Sequence, residues 1–115
     1  AYADLDLPAT GEASITIASR VKRARDVQSK RFADAPGVRV NADMEGRLLE
    51  EIAAPDAEGR ALIARVAERF GLTARGYHRV LRVARTIADL DDSLGVRQPH
   101  VAEAVSYRLN LGSRK

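Results

Sequence analysis

Apolar residues in this chain return at steps of three and four along most of its length, and proline or glycine breaks that rhythm at only a few points. Such a pattern leaves room for helices and short loops and little else. Ile17, Val21, Ala24, Val27 and Phe32 stripe a first helix from Ser14 to about Phe32. Asp34-Ala35-Pro36-Gly37 ends it, because proline cannot continue a helix and glycine suits the turn. Asn41 is placed to cap a second helix to about Ala53, with Met44, Leu48, Leu49 and Ile52 inward. Pro55 and Asp56 mark a fresh start, and a third helix buries Leu62, Ile63, Val66 and Phe70 before stopping at Gly71. A fourth helix follows Thr73 and ends near Leu90 to Asp92. After the turn at Ser93-Leu94-Gly95, a fifth, from about Pro99 to Leu109, buries Val101, Ala104 and Val105. Ahead of all these, Leu5 and Leu7 alternate with Asp4 and Asp6 before Pro8 and Gly11, which predicts a short extended segment within residues 1–13. The expected fold is all-α: a connecting helix (14–36) and a four-helix bundle (41–111), preceded by the extended segment and followed by a frayed tail (112–115).

A chain of 115 residues suits one domain, burying roughly two-thirds of its unfolded surface. With two Phe, three Tyr and no Trp, its core must be built from Ala, Leu, Val and Ile, which favours close helix approach. The absence of cysteine excludes disulfides, thiolate metal sites and cysteine catalysis, and fits a reducing cytoplasm. No apolar run reaches the roughly 18 residues of a membrane span, so no membrane partner is expected. The first residues are acidic and lack a signal-peptide pattern, and the start at Ala1 reads as a piece cut from a longer protein. The net charge of +3 conceals blocks: six basic residues against Asp26 from Arg20 to Arg31, then six acidic residues against Arg47 from Asp43 to Glu58. Five arginines and no acid follow from Arg69 to Arg85. Surfaces patterned in this way meet other charged surfaces, on a partner or a ligand.

The clearest chemical bias lies between Thr73 and Leu90. Arg75, Arg79, Arg82, Thr86 and Asp89 share one helix face, opposite Leu81, Ala84, Ile87 and Ala88. With Thr73 as N-cap, Arg75 falls in the first turn, where open N–H groups and the helix dipole favour an anion and a guanidinium adds bidentate donors. The plainer alternative is a solvated helix face. A self-contained active site is not visible. His78 and His100 share no metal-ligand spacing and read as core or surface histidines. Asp91 and Asp92 point about 100° apart on a helix, and Asp89 reads as an ordinary pair with Arg85, contributing about 0.3–0.5 kcal/mol. Ser14, Ser19 and Ser29 lack a base, and no phosphate loop is present, so the chain is expected not to hydrolyse a nucleotide unaided.

Several segments together carry a resemblance: Gly11-Glu-Ala-Ser14; Arg20-Val-Lys-Arg-Ala-Arg-Asp-Val-Gln28 with Arg31-Phe32; and Asn41-Ala42. Leu72-Thr-Ala-Arg-Gly-Tyr-His-Arg-Val-Leu-Arg-Val-Ala-Arg-Thr-Ile-Ala-Asp-Leu90, His100-Val-Ala-Glu-Ala104 and Tyr107-Arg108 complete it. From about Asp4 onward the chain resembles the C-terminal domain of magnesium-chelatase-like AAA+ ATPases, in particular their competence-type (ComM-like) branch. That resemblance implies a helical lid on a nucleotide-binding core whose Walker motifs, sensor 1 and arginine finger lie upstream. It implies a sensor-2 role for Arg75, reaching the γ-phosphate, with Thr73 and Ala74 beside the nucleotide. ATP and Mg²⁺ would be held mainly by the core, with no cofactor belonging to this stretch itself. The implied partners are that core and neighbouring subunits of a hexameric ring, with DNA a candidate for the whole motor. Arg79, Arg82, Arg20 and Arg23 are candidates for a subunit boundary or DNA contact. Three other readings stay open: the ATPase subunit driving magnesium insertion into a porphyrin, a free-standing helix-turn-helix-like DNA-binding module spanning residues 57–90, and an oligomerisation domain.

Overall fold

The computed structural model describes the backbone of residues 7–113 and the side chains of residues 14–108. Five α-helices follow one another: α1 (Leu7–Arg31), α2 (Gly46–Ile52), α3 (Ala57–Phe70), α4 (Ala74–Leu90) and α5 (Gln98–Ser113), with a 3-10 turn at Asn41–Asp43. Among the described residues there is no strand; one isolated bridge joins Pro55 to Val96, where the Asp56 N–H donates to the Val96 carbonyl at 2.9 Å. Helix α5 packs against both α3 and α4, while α1, α2 and the 3-10 turn pack against α4. Helix α4 is therefore the centre of the bundle, and its apolar positions Val80, Leu81, Ala84 and Ala88 join Met44, Leu49, Ile63 and Val101 in one core. Alanines at α4 and α5 contact positions, Ala84, Ala88 and Ala104, are buried, as expected of a core poor in aromatics.

Local signals set most of the boundaries. The Asp56 side chain caps α3, accepting from the Gly59 N–H at 2.8 Å, and Gly71 ends it with φ +67°, a left-handed turn that favours glycine. Helix α5 starts with Pro99 in its first turn, where His100 Nδ1 reaches back to accept from the Arg97 N–H at 2.9 Å.

Five expectations need correction. Residues 7–13 are helical, not extended, and residues 1–6 lie outside the described residues. Pro8, tolerated in a first turn, does not interrupt α1. Asn41 does not cap a long second helix. Its side chain is committed to other elements, and the segment forms a 3-10 turn, an extended Met44 whose carbonyl accepts from Arg82 Nε at 2.8 Å, and only then α2. Ile17 and Phe70, expected inside, are 56% and 53% exposed. Among the described side chains of α1, those from about Arg20 onward meet the bundle; Ser14–Ser19 are all exposed, Ala24 and Phe32 are buried, and Val21 and Val27 are half-buried. Helix α5 continues to Ser113, so the tail expected to fray is helical over 112–113, and 114–115 lie outside the described residues.

The fifth correction concerns Asp89. It is no ordinary surface pair: its side chain is 1% exposed and forms the hub of a buried polar cluster. Arg31, from the end of α1, grips both carboxylate oxygens in a fork, at 2.8 Å each. Asn41 Nδ2 donates to the same carboxylate at 2.8 Å and to Thr86 Oγ1 at 3.1 Å, while its own Oδ1 accepts from Arg31 at 3.0 Å. Arg85, also buried, lies 2.9 Å from Asp89 and donates to the carbonyls of Ser93 and Leu94 that follow α4. Gln28 Oε1 accepts the Asn41 N–H at 2.8 Å. The cluster thereby ties α1, the 3-10 turn, α4 and the turn before α5 together.

Burial pushes the Asp89 carboxyl up, but hydrogen bonds from Arg31 and Asn41 and the charges of Arg85 and Arg31 outweigh it, so its pKa lies below the usual 3.8. Because the folded pKa is the lower one, Asp89 contributes its full stabilisation above that value, and the contribution is lost as pH falls from about 3.8 through the folded value. We expect urea midpoints of the wild type to drop between pH 5 and pH 3. Asp89→Asn, weaker at pH 5, should show a shallower acid decline; parallel declines would mean that Asp89 is not part of the acid response.

Candidate functional site

The start of α4 is built by its own sequence. Thr73 sits in extended backbone and its Oγ1 accepts from the Gly76 N–H at 3.0 Å, a side-chain cap that closes one of the open donors of the first turn. The Ala74 and Arg75 N–H groups precede the first intrahelical bond, formed by the Tyr77 N–H on the Thr73 carbonyl at 2.9 Å. No acidic residue lies in this turn. Arg75 is exposed, and among the described residues it has no hydrogen-bond or ion-pair partner. Thr73, grouped by sequence with the nucleotide contacts, has its hydroxyl occupied as the cap. Thr73→Ala is expected to cost about 1 kcal/mol of stability, read from chemical denaturation; no loss would mean that the cap is not formed.

Arg79, one turn on, is also exposed. Beside it stands a residue that sequence reasoning did not place here. Arg108, from α5, lays its guanidinium over Gly76, with Nη2 3.1 Å and Cζ 3.6 Å from the position a Cβ on Gly76 would occupy. Arg79 and Arg108 line a cavity of about 90 Å³ with Val80, Val83, Ala104 and Tyr107. The only hint in the sequence is that Tyr107-Arg108 belongs to the segments that carry the family resemblance.

The remaining basic candidates lie elsewhere. Arg82 is bound to the Met44 carbonyl, and Arg20 Nε donates to the Leu90 carbonyl at 3.2 Å. Arg23 stands 3.6 Å from Asp92. Arg20 and Arg82 come together along an open groove of about 820 Å³ between α1, α4 and α5, floored in part by Ile87 and Leu90. The fold thus divides the cations into one group at the start of α4, Arg75, Arg79 and Arg108, and another along its second half. His78 faces Glu50 of α2 at 3.6 Å, and His100 is buried with Nε2 3.1 Å from Asp91, so both have structural partners. Among the described residues no three His, Cys, Asp or Glu side chains gather to hold a metal ion, and no helix is long and apolar enough to cross a membrane.

Comparison with known proteins bears on what such a site serves. Residues 11–108 match the family described as magnesium chelatase, subunit ChlI C-terminal. The chain is 33% identical over 98 residues to competence protein ComM of Haemophilus influenzae, covering 85% of the chain and 18% of that relative. It is 36% identical over 98 residues to an uncharacterized protein, YifB, of Escherichia coli, covering 85% and 18%. An uncharacterized protein of Mycobacterium tuberculosis is 33% identical over 107 residues, covering 93% of the chain and 21% of that relative. The chain thus spans about a fifth of the length of these relatives.

Proposed function

Because the chain belongs to the magnesium chelatase ChlI C-terminal family, we propose that it is the helical lid of an AAA+ ATPase, and that Arg75 is its sensor-2 contact with the terminal phosphate of ATP. The observation that carries this reading is a guanidinium without a partner among the described residues, in the first turn of a side-chain-capped helix that has no acid in that turn. A nucleotide phosphate supplies the missing countercharge, and the open N–H groups of Ala74 and Arg75 add donors on the same side. When bound, ATP with Mg²⁺ supplies the phosphoryl group to be transferred. The residues here fit one edge of that group, and upstream residues would hold the metal and the rest of the nucleotide. Arg75 orients the terminal phosphate and offsets the charge that develops on it. A ring of such subunits in the cytoplasm, each lid docked on its own core, is the assembly we assign. Residues 1–13 would lead from that core, 14–36 would connect it to the lid, and 41–111 would form the lid. We read the whole protein as a DNA-directed motor in preference to a porphyrin-directed one, and its likeness to the competence protein ComM is what supports that reading.

A free-standing helix-turn-helix-like module fits the structure less well. A recognition helix needs an open flank along its length. Here α1, α2, the 3-10 turn and α5 all pack on α4, and of its arginines only Arg75 and Arg79 are exposed. The test of the proposal is ATP turnover by the complete polypeptide carrying Arg75→Ala. Loss of turnover with an unchanged unfolding midpoint is expected; wild-type turnover would remove the sensor assignment.

A further inference from the structure

Resting on the phosphate reading of Arg75, we propose that Arg108 is a second phosphate-binding residue, a guanidinium brought from α5 to the same terminal phosphate across a gap that Gly76 keeps open. Three observations converge on it. The first is clearance: with Nη2 only 3.1 Å from where a Cβ on Gly76 would stand, an alanine there would crowd the Arg108 head group and shift it by a few tenths of an ångström. The second is charge. Arg108 has no hydrogen-bond or ion-pair partner among the described residues, and its guanidinium lies against the first turn of α4, the positive end of a 17-residue helix. A cation placed there is repelled by the helix dipole, and among the described residues no acid of that first turn and no side-chain partner of Arg108 offsets the repulsion. An anion shared with Arg75 does. The third is direction. Arg75 and Arg79 lie about 40° apart around α4, and Gly76 about 60° beyond Arg79, so three guanidiniums surround one flank of the helix start. Two planar forks from different helices can grip separate edges of one phosphate, which a single arginine cannot do.

The competing explanation is packing, with the aliphatic stem of Arg108 covering apolar surface at Val80 and Ala104 while its charge reaches solvent. Arg108→Met keeps the stem and removes the charge, so it separates the two. In the complete polypeptide we expect Arg108→Met to weaken ATP binding about tenfold, to weaken ADP binding much less, and to leave the unfolding midpoint in place. Arg108→Lys should recover part of the loss. Gly76→Ala, which retains every arginine, should shift ATP affinity in the same direction as Arg108→Met. Wild-type ATP affinity in Arg108→Met, with or without a lowered unfolding midpoint, while Arg75→Ala loses turnover, would overturn the role of Arg108 and leave that of Arg75 standing. If Arg75→Ala is silent as well, the phosphate reading fails with it.

Discussion

Replacing Asp89 with alanine is expected to destabilise the domain by about 3–5 kcal/mol, a large share of the roughly 5–15 kcal/mol that holds a domain of this size folded. The cost comes from what is left behind. Arg31 would lose both arms of its fork and Arg85 the one carboxylate paired with it among the described residues, leaving both guanidiniums with neutral carbonyl acceptors but no countercharge. Arg85 Nε is already buried with no hydrogen-bond partner among the described residues, so losing the carboxylate deepens an existing shortage of acceptors. Asn41 would also lose one of its contacts, and with it the 3-10 turn its hold on α4. Because Arg31 belongs to α1, the loss should include detachment of α1 from the bundle, seen as rapid amide exchange over residues 20–31. The double variant Arg31→Met with Asp89→Leu should lose less than the sum of the single changes, since it removes charge on both sides. A change below about 1 kcal/mol for Asp89→Ala would mean that the cluster does not hold these elements together.

The second large effect is functional and should leave stability almost untouched. Arg75→Ala in the complete polypeptide is expected to lower the rate of ATP hydrolysis about 10³-fold, the lower end of what an arginine contributes to phosphoryl transfer. Its side chain is exposed and has no partner among the described residues, so the change in unfolding free energy should stay within about 0.5 kcal/mol. Arg75→Lys should restore only part of the rate, because an ammonium is a point charge without the two-armed fork. A fall in KM-dependent binding with kcat intact would place Arg75 in ground-state binding instead of charge stabilisation.

These two residues also explain what could and could not be read from the sequence. The caps at Asp56, Gly71 and Thr73 act within one or two turns of the chain, so α3 and the start of α4 were legible from spacing alone. The position of Arg75 followed from the same cap. The partners of Asp89 did not, because Arg31 is 58 residues away and Asn41 48, and nothing local distinguishes a buried aspartate from a solvated one. Asn41 looked like a helix cap for a related reason: asparagine suits that position equally well, and only tertiary contacts decide that its amide is used elsewhere. The segments that carry the family resemblance include Gln28, Arg31, Asn41, Arg85, Thr86 and Asp89, all members of the buried polar cluster or its hydrogen-bond partners. Much of the chain's recognisable signature is therefore structural, and the exposed arginine at the start of α4 is a small part of it.

The polar cluster and the candidate site lie on the same helix, with Arg75 and Asp89 about 21 Å apart along its axis. The cluster fixes α1 to one end of α4 while the other end presents the guanidinium. The most direct test of that presentation is single-turnover hydrolysis of prebound ATP by the complete polypeptide carrying Arg75→Ala, measured beside the wild type. A rate lowered about 10³-fold with ADP affinity nearly unchanged is the predicted result; a wild-type rate would contradict it.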